Sequence, residues 1–93
     1  MARRTLERIR ELIRAGAYGL TIHALEELES DDLTGEDLEA ILLSGKVIRR
    51  QRDAQTGDRK YVVLGRCLSR LPACAVVKFA DPDRLLVVTV FLA

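Results

Sequence analysis

Tryptophan is missing from this chain of 93 residues, and the only aromatic residues are Tyr18, Tyr61, Phe79 and Phe91. Four rings are too few for a platform on which successive bases stack. The two cysteines, Cys67 and Cys74, are too few and wrongly spaced for a metal knuckle, so they read as ordinary thiols. No apolar run can cross a bilayer; the longest candidate, residues 85–92, is a buried strand in length and composition. The N-terminus is charged and lacks an apolar segment of the signal-peptide kind, which leads to the expectation of a cytoplasmic protein with no membrane partner. There is no glycine-rich phosphate loop, no nucleophile elbow, no internal repeat and no low-complexity tract. Histidine occurs once, as His23.

Charge is present in quantity, and it is segregated. The formal net charge of +1 conceals +3 over residues 1–14, −8 over residues 15–45 and +6 over residues 46–70. Residues 15–45 contain no lysine or arginine, whereas Lys46, Arg49, Arg50, Arg52, Arg59, Lys60, Arg66 and Arg70 face only Asp53 and Asp58 in the next segment. Two explanations fit. Either solvated surfaces of opposite sign attract one another, or a basic sheet surface is set up for phosphate while an acidic helical surface points elsewhere.

The periodicity divides the chain into a helical half and a strand half, enough for one domain over residues 1–93 with a single small core. Leu6, Ile9, Leu12 and Ile13 recur at helical spacing, which predicts a helix over about 5–15, with Gly16 just past its end. Thr21 reads as an N-cap, opening a second helix over about 22–30 with Ile22, Leu25 and Leu28 on one face. Thr34-Gly-Glu-Asp37 is a capping box for a third helix over about 35–44; Leu33 can staple to Leu38, and Gly45 closes the helix. After Gly45 the pattern turns β-prone, predicting strands at about 46–52, 59–64, 73–79 and 85–92. Pro72 argues against a central ladder position. Short loops imply antiparallel pairing. The expected fold is α+β, with three N-terminal helices packed on a four-stranded antiparallel sheet. The last strand is apolar on both faces, which points to a homodimer or a bound partner protein over the face the helices leave open.

His23 falls at the second position of its helix, where the positive end of the helix dipole disfavours imidazolium. It can serve there as a base or hydrogen-bond partner, or it can be a half-buried structural residue. With Glu27 one turn later it could supply two metal ligands, but no third is evident, so no metal or cofactor is expected.

The run Tyr18…Thr21-Ile-His23-Ala24…Glu26…Leu28, followed by Leu33-Thr34…Glu36-Asp37-Leu38, Gly45-Lys-Val-Ile48, Lys60-Tyr-Val-Val-Leu-Gly65 and Val88-Thr-Val-Phe91, resembles a small bacterial family. That family is filed as a domain of unknown function with a His-x-x-x-Arg motif, and it is similar to compact endoribonuclease toxins of the RelE, MqsR and BrnT type. The resemblance covers most of the chain after residue 17. It implies a RelE-like fold, a toxin-like RNA-binding protein or metal-independent endoribonuclease, and an antitoxin-like protein partner. The chain departs from the motif, because Glu27 stands where the arginine is expected. A second expected arginine falls in Ser30-Asp-Asp32.

Metal-independent RNA cleavage needs a base for the 2′ proton, a cation for the phosphorane and an acid for the leaving oxygen. The expected catalytic residues are His23, Arg59 and Tyr61. The expected RNA contacts are Arg49, Arg52, Lys60, Arg66 and Arg70. The competing expectation is a non-catalytic interaction module with the same fold and a degenerate site, its basic residues being solvated edge charges.

Overall fold

The computed structural model describes residues 2–93, with side chains from Arg4 onward; the side chain of Arg3, part of the N-terminal basic cluster, lies outside that description. Three helices, α1 (Ala2–Arg14), α2 (Ile22–Ser30) and α3 (Gly35–Ser44), share the chain with five strands: β1 (Tyr18–Leu20), β2 (Lys46–Arg52), β3 (Arg59–Arg66), β4 (Pro72–Asp81) and β5 (Arg84–Leu92). The sheet order is β1-β5-β4-β3-β2. Strands β2 to β5 form an antiparallel meander, whereas β1 runs parallel to β5, with Tyr18 opposite Leu85 and Leu20 opposite Val87.

The sheet is therefore five-stranded and mixed, not four-stranded and antiparallel. Strand β1 has only three residues, and its pairing partner lies more than sixty positions away. Nothing local marks it as a strand. Pro72 opens the central strand β4 and pairs with Arg66. At the first position its missing N–H removes no interior ladder bond.

Local rules account for the helices. Gly16 takes φ 69° just past α1, as the end of that helix requires. In α3 the Thr34 hydroxyl accepts from Asp37 N at 3.1 Å and the Asp37 carboxylate accepts from Thr34 N at 3.0 Å, a complete capping box. Asp37 also receives the Leu68 N–H, and these backbone donors hold its carboxyl below the usual range. Leu38, Ile41 and Leu42 are fully buried, and α3 lies across β3 and β4.

The close approach of α3 to the sheet explains two glycines. A Cβ on Gly65 would sit 2.0 Å from Ile41 O, and one on Gly45 would meet Val63 Cγ1 at 2.5 Å. Gly45 ends α3 at φ −87°, so it is required for space and not for a left-handed turn.

The main core fills the space between the helices and one sheet face, joining Ile9, Leu12, Ala24, Leu28, Leu38 and Ile41 to Val63, Ala75, Val77, Leu85, Val87 and Val90. The opposite face carries a smaller apolar strip of Val62, Cys74 and Val76, with Leu64 beside it. Helix α2 differs from the sequence expectation. Ala24 and Leu28 face the core, whereas Ile22 and Leu25 are 79% and 50% exposed. No helix among the described residues is long and apolar enough to cross a membrane.

Candidate functional site

The setting of His23 follows from how β1 gives way to α2. Strand β1 pairs with β5 only as far as Val87, which leaves the edge of β5 beyond that point without a strand neighbour. Helix α2 supplies side chains in its place. Thr21 Oγ1 accepts from Ala24 N at 3.0 Å, capping the helix, and donates to Val88 O at 3.0 Å. Two turns on, Glu27 Oε1 accepts the Val90 N–H at 2.9 Å. The two residues thus satisfy the edge groups that β1 cannot reach.

His23 is tied to this arrangement only loosely. Its Nε2 lies 3.4 Å from the same Glu27 oxygen, and its side chain is 68% exposed against 24% for Glu27. It is neither half-buried nor part of the core. An exposed pair at this distance contributes little. Glu27 is held by the sheet backbone, and its contact with His23 is secondary. Beside them an open concavity of about 370 Å³ is lined by His23, Glu26, Glu27, Ser30, Asp31, Val90 and Phe91.

The basic segment lies at the other edge of the sheet. In the β2–β3 register Arg50 is opposite Tyr61 and Arg52 is opposite Arg59, while Arg49 is opposite Val62 and Gln51 opposite Lys60. Directly opposed residues point to the same face. Arg50, Arg52, Arg59 and Tyr61 therefore share the helix side of the sheet, whereas Arg49 and Lys60 point to the open side. A register shift between Val47 and Arg49 produces this division.

Several of these cations already have partners. Lys60 Nζ is 3.1 Å from Asp53, and Lys78 Nζ is 3.0 Å from Asp58. Arg52 donates to Gly57 O at 3.0 Å, and Arg66 donates to Arg70 O at 2.9 Å. Asp53 is pulled down to about 2 by the backbone N–H groups of Gln55 and Thr56 and then by Lys60, so it stays ionised at the hairpin tip. Arg70 sits at φ 72° in the turn before β4. Arg49, Arg50 and Arg59 are exposed along the edge.

The structure brings Arg59 and Tyr61 together with Arg50 and Arg52, and it keeps His23 apart from them. His23 lies over β5 near Val90, whose register neighbours are Ala75 on β4 and Val63 on β3. Arg59 is on β3, two strands across and four residues along. At strand spacings of about 4.8 Å and rises of about 3.3 Å the two backbones are roughly 16 Å apart. The Tyr61 ring packs edge-on against Phe79, with centroids 5.9 Å apart.

Other reactive groups offer no alternative centre. Tyr18 donates to Glu39 Oε2 at 2.6 Å, and burial followed by that carboxylate pushes its phenol up to about 12. Cys67 and Cys74 are buried free thiols, raised chiefly by burial. Cys67 belongs to the helix-side core and Cys74 to the open-face strip. Among the described residues no three His, Cys, Asp or Glu side chains are grouped to hold a metal. No local signal marks Glu27's bond to Val90, because sixty-three positions separate the two residues.

No curated protein and no solved structure matches the chain. A family model described as a domain of unknown function (DUF4258) matches residues 20–92, from the end of β1 through β5. The chain belongs to that family.

Proposed function

We propose that this domain is a toxin-like RNA-binding protein that holds RNA phosphates along the β2–β3 edge. The observation carrying this reading is the spatial separation of charge. The segment of net +6 builds one edge of the sheet, while the acidic residues of α2 lie over β5 at the other. Arg49, Arg50 and Arg59 are the exposed cations of that edge, Lys60 and Arg52 brace the β2–β3 hairpin beside them, and Arg66 and Arg70 lie at the β3–β4 turn at the other end of β3. With so few aromatic rings, the phosphate backbone is the part of RNA this surface suits.

Catalysis is the second reading, favoured by Tyr61 sharing a face with Arg50, Arg52 and Arg59. Arginines could hold the phosphorane charge there, and the Tyr61 hydroxyl could protonate the leaving oxygen. The cluster lacks a base for the 2′ proton, because His23 lies over the opposite edge. The His-x-x-x-Arg motif expected from the resembled family is also missing its arginine, and Glu27 in its place has a structural bond to make. Binding without His23-driven cleavage is therefore the reading the geometry supports best.

Anisotropy of a fluorescein-labelled 20-nucleotide RNA across 50–200 mM salt tests it, these being about the concentrations over which phosphate contacts weaken. Binding should weaken linearly on a log–log scale, and Arg49→Ala, Arg50→Ala and Arg59→Ala should each reduce the slope by about 0.7. His23→Ala should leave binding unchanged. Absence of binding at low salt, or indifference to all three arginine substitutions, would overturn the proposal. RNA cleavage abolished by Tyr61→Phe and Arg59→Ala, with growth arrest on expression of the chain alone, would establish the enzyme instead.

A further inference from the structure

The outer surface of α2 sets exposed apolar side chains among acidic ones, whereas the exposed Leu68 and Leu71 lie in the turn that carries Arg66 and Arg70. Ile22 is 79% exposed and Leu25 50%, one helical turn apart on one flank of the helix. On the other flank His23, Ser30 and Phe91 border the concavity beside β5, and Phe91 is 41% exposed. Glu26 stands between the flanks, and Glu29 follows it one turn on. Residues 15–45 contain no lysine or arginine to neutralise them. An isoleucine almost wholly in water at a helix start contributes nothing to this fold, since Ala24 and Leu28 already serve the core. Apolar residues gathered in a field of one sign mark a docking surface.

A second copy of the chain fits poorly. Two α2 surfaces placed back to back would set Glu26 and Glu29 against their own images. Pairing α2 with the basic β2 edge of another copy joins opposite edges of the sheet. That contact is heterologous, and unless the rotation closes it generates an open chain. The complementary occupant is a segment carrying both apolar side chains and lysine or arginine on another protein.

We propose that the outer face of α2, with Phe91 at the end of β5, docks a cationic amphipathic helix of a different protein. Leucine-type side chains would cover Ile22 and Leu25, and lysine or arginine stems would lie along Phe91 with their heads at Glu26 and Asp31. This surface is separate from the arginine edge, so it can be occupied while that edge is free.

The test uses a labelled helical peptide of leucine and lysine in amphipathic order and a scrambled peptide of identical composition. The ordered peptide should bind the full chain at least about tenfold tighter than the scrambled one, equivalent to about 1.4 kcal/mol. Leu25→Ser and the pair Glu26→Gln/Glu29→Gln should each weaken it about tenfold, while melting temperatures hold because all three side chains are exposed. Arg50→Ala should weaken RNA binding and leave the peptide unaffected, so the two proposals fail separately. Equal binding of both peptides, indifference to the α2 substitutions, or a dimer in sedimentation that Leu25→Ser dissolves would each overturn the inference. A peptide displaced competitively by the RNA would overturn it too.

Discussion

Replacing Glu27 discriminates between a site residue and a structural one. Its carboxylate accepts the N–H of Val90, a residue 1% exposed, and lies 3.4 Å from His23. Glu27→Ala removes the only acceptor α2 offers to that amide. A hydrogen bond to a charged acceptor is worth about 1.5–3 kcal/mol, and the partial exposure of Glu27 lets water recover some of it, so about 2 kcal/mol should be lost. For a domain of this size that lowers the melting temperature by roughly 8–16 °C. Glu27→Gln keeps an acceptor oxygen without the charge and should lose only about 1 kcal/mol. His23→Ala should change stability by no more than about 0.5 kcal/mol, because the imidazole is mostly in water. Thermal melts followed by circular dichroism give the ranking, and native-state hydrogen exchange at the Val90 amide reports the bond directly. A Glu27→Ala variant that melts with the parent, or a His23→Ala variant that reproduces its loss, would show that the Glu27–Val90 bond does not hold the fold.

Other outcomes follow from the same packing and hydrogen bonding. Gly65→Ala drives a Cβ into the Ile41 carbonyl of α3, and because backbone cannot swing aside it should lose about 3 kcal/mol or more. Gly35→Ala, with open space around its Cβ, should be neutral or slightly stabilising, and paired melts compare the two. The Tyr18 phenol is raised from 10.0 to about 12 in the fold, so the folded state holds this proton more tightly than the unfolded one. Its contribution is complete below the unfolded value and is lost as pH rises through the folded one. Urea midpoints should fall between about pH 10 and pH 12, and Tyr18→Phe should flatten the fall. Cys67 and Cys74 are buried with raised thiol pKa values, so a thiol reagent should leave both unmodified until the chain unfolds. Fast labelling of native protein would contradict that burial.

Much of this protein is decided within a few residues. The Thr21 cap, the Thr34–Asp37 box, the Leu33–Leu38 neighbourhood and the positive φ of Gly16 depend on contacts no more than about one helical turn long. The starts of α2 and α3 follow from such signals, whereas α1 begins at Ala2, ahead of the expected position 5, and β3 and β4 run on to Arg66 and Asp81. Charge segregation is also a sequence property, since segments of −8 and +6 occur in series. Tertiary structure decided everything that joins distant positions. It paired Tyr18–Leu20 with Leu85–Val87, gave Glu27 to Val90, and demanded glycine at 65 because α3 lies against β3 there. It chose Ala24 over Leu25 for the core, because α2 follows the edge of β5 and that course fixes its rotation. It also separated His23 from Arg59 and Tyr61, since α2 lies along β5 while those two residues are on β3, with β4 between the two strands. Local chemistry set the helices, the four meander strands and their charge, and the long-range pairing set β1 and which of those charges can act together.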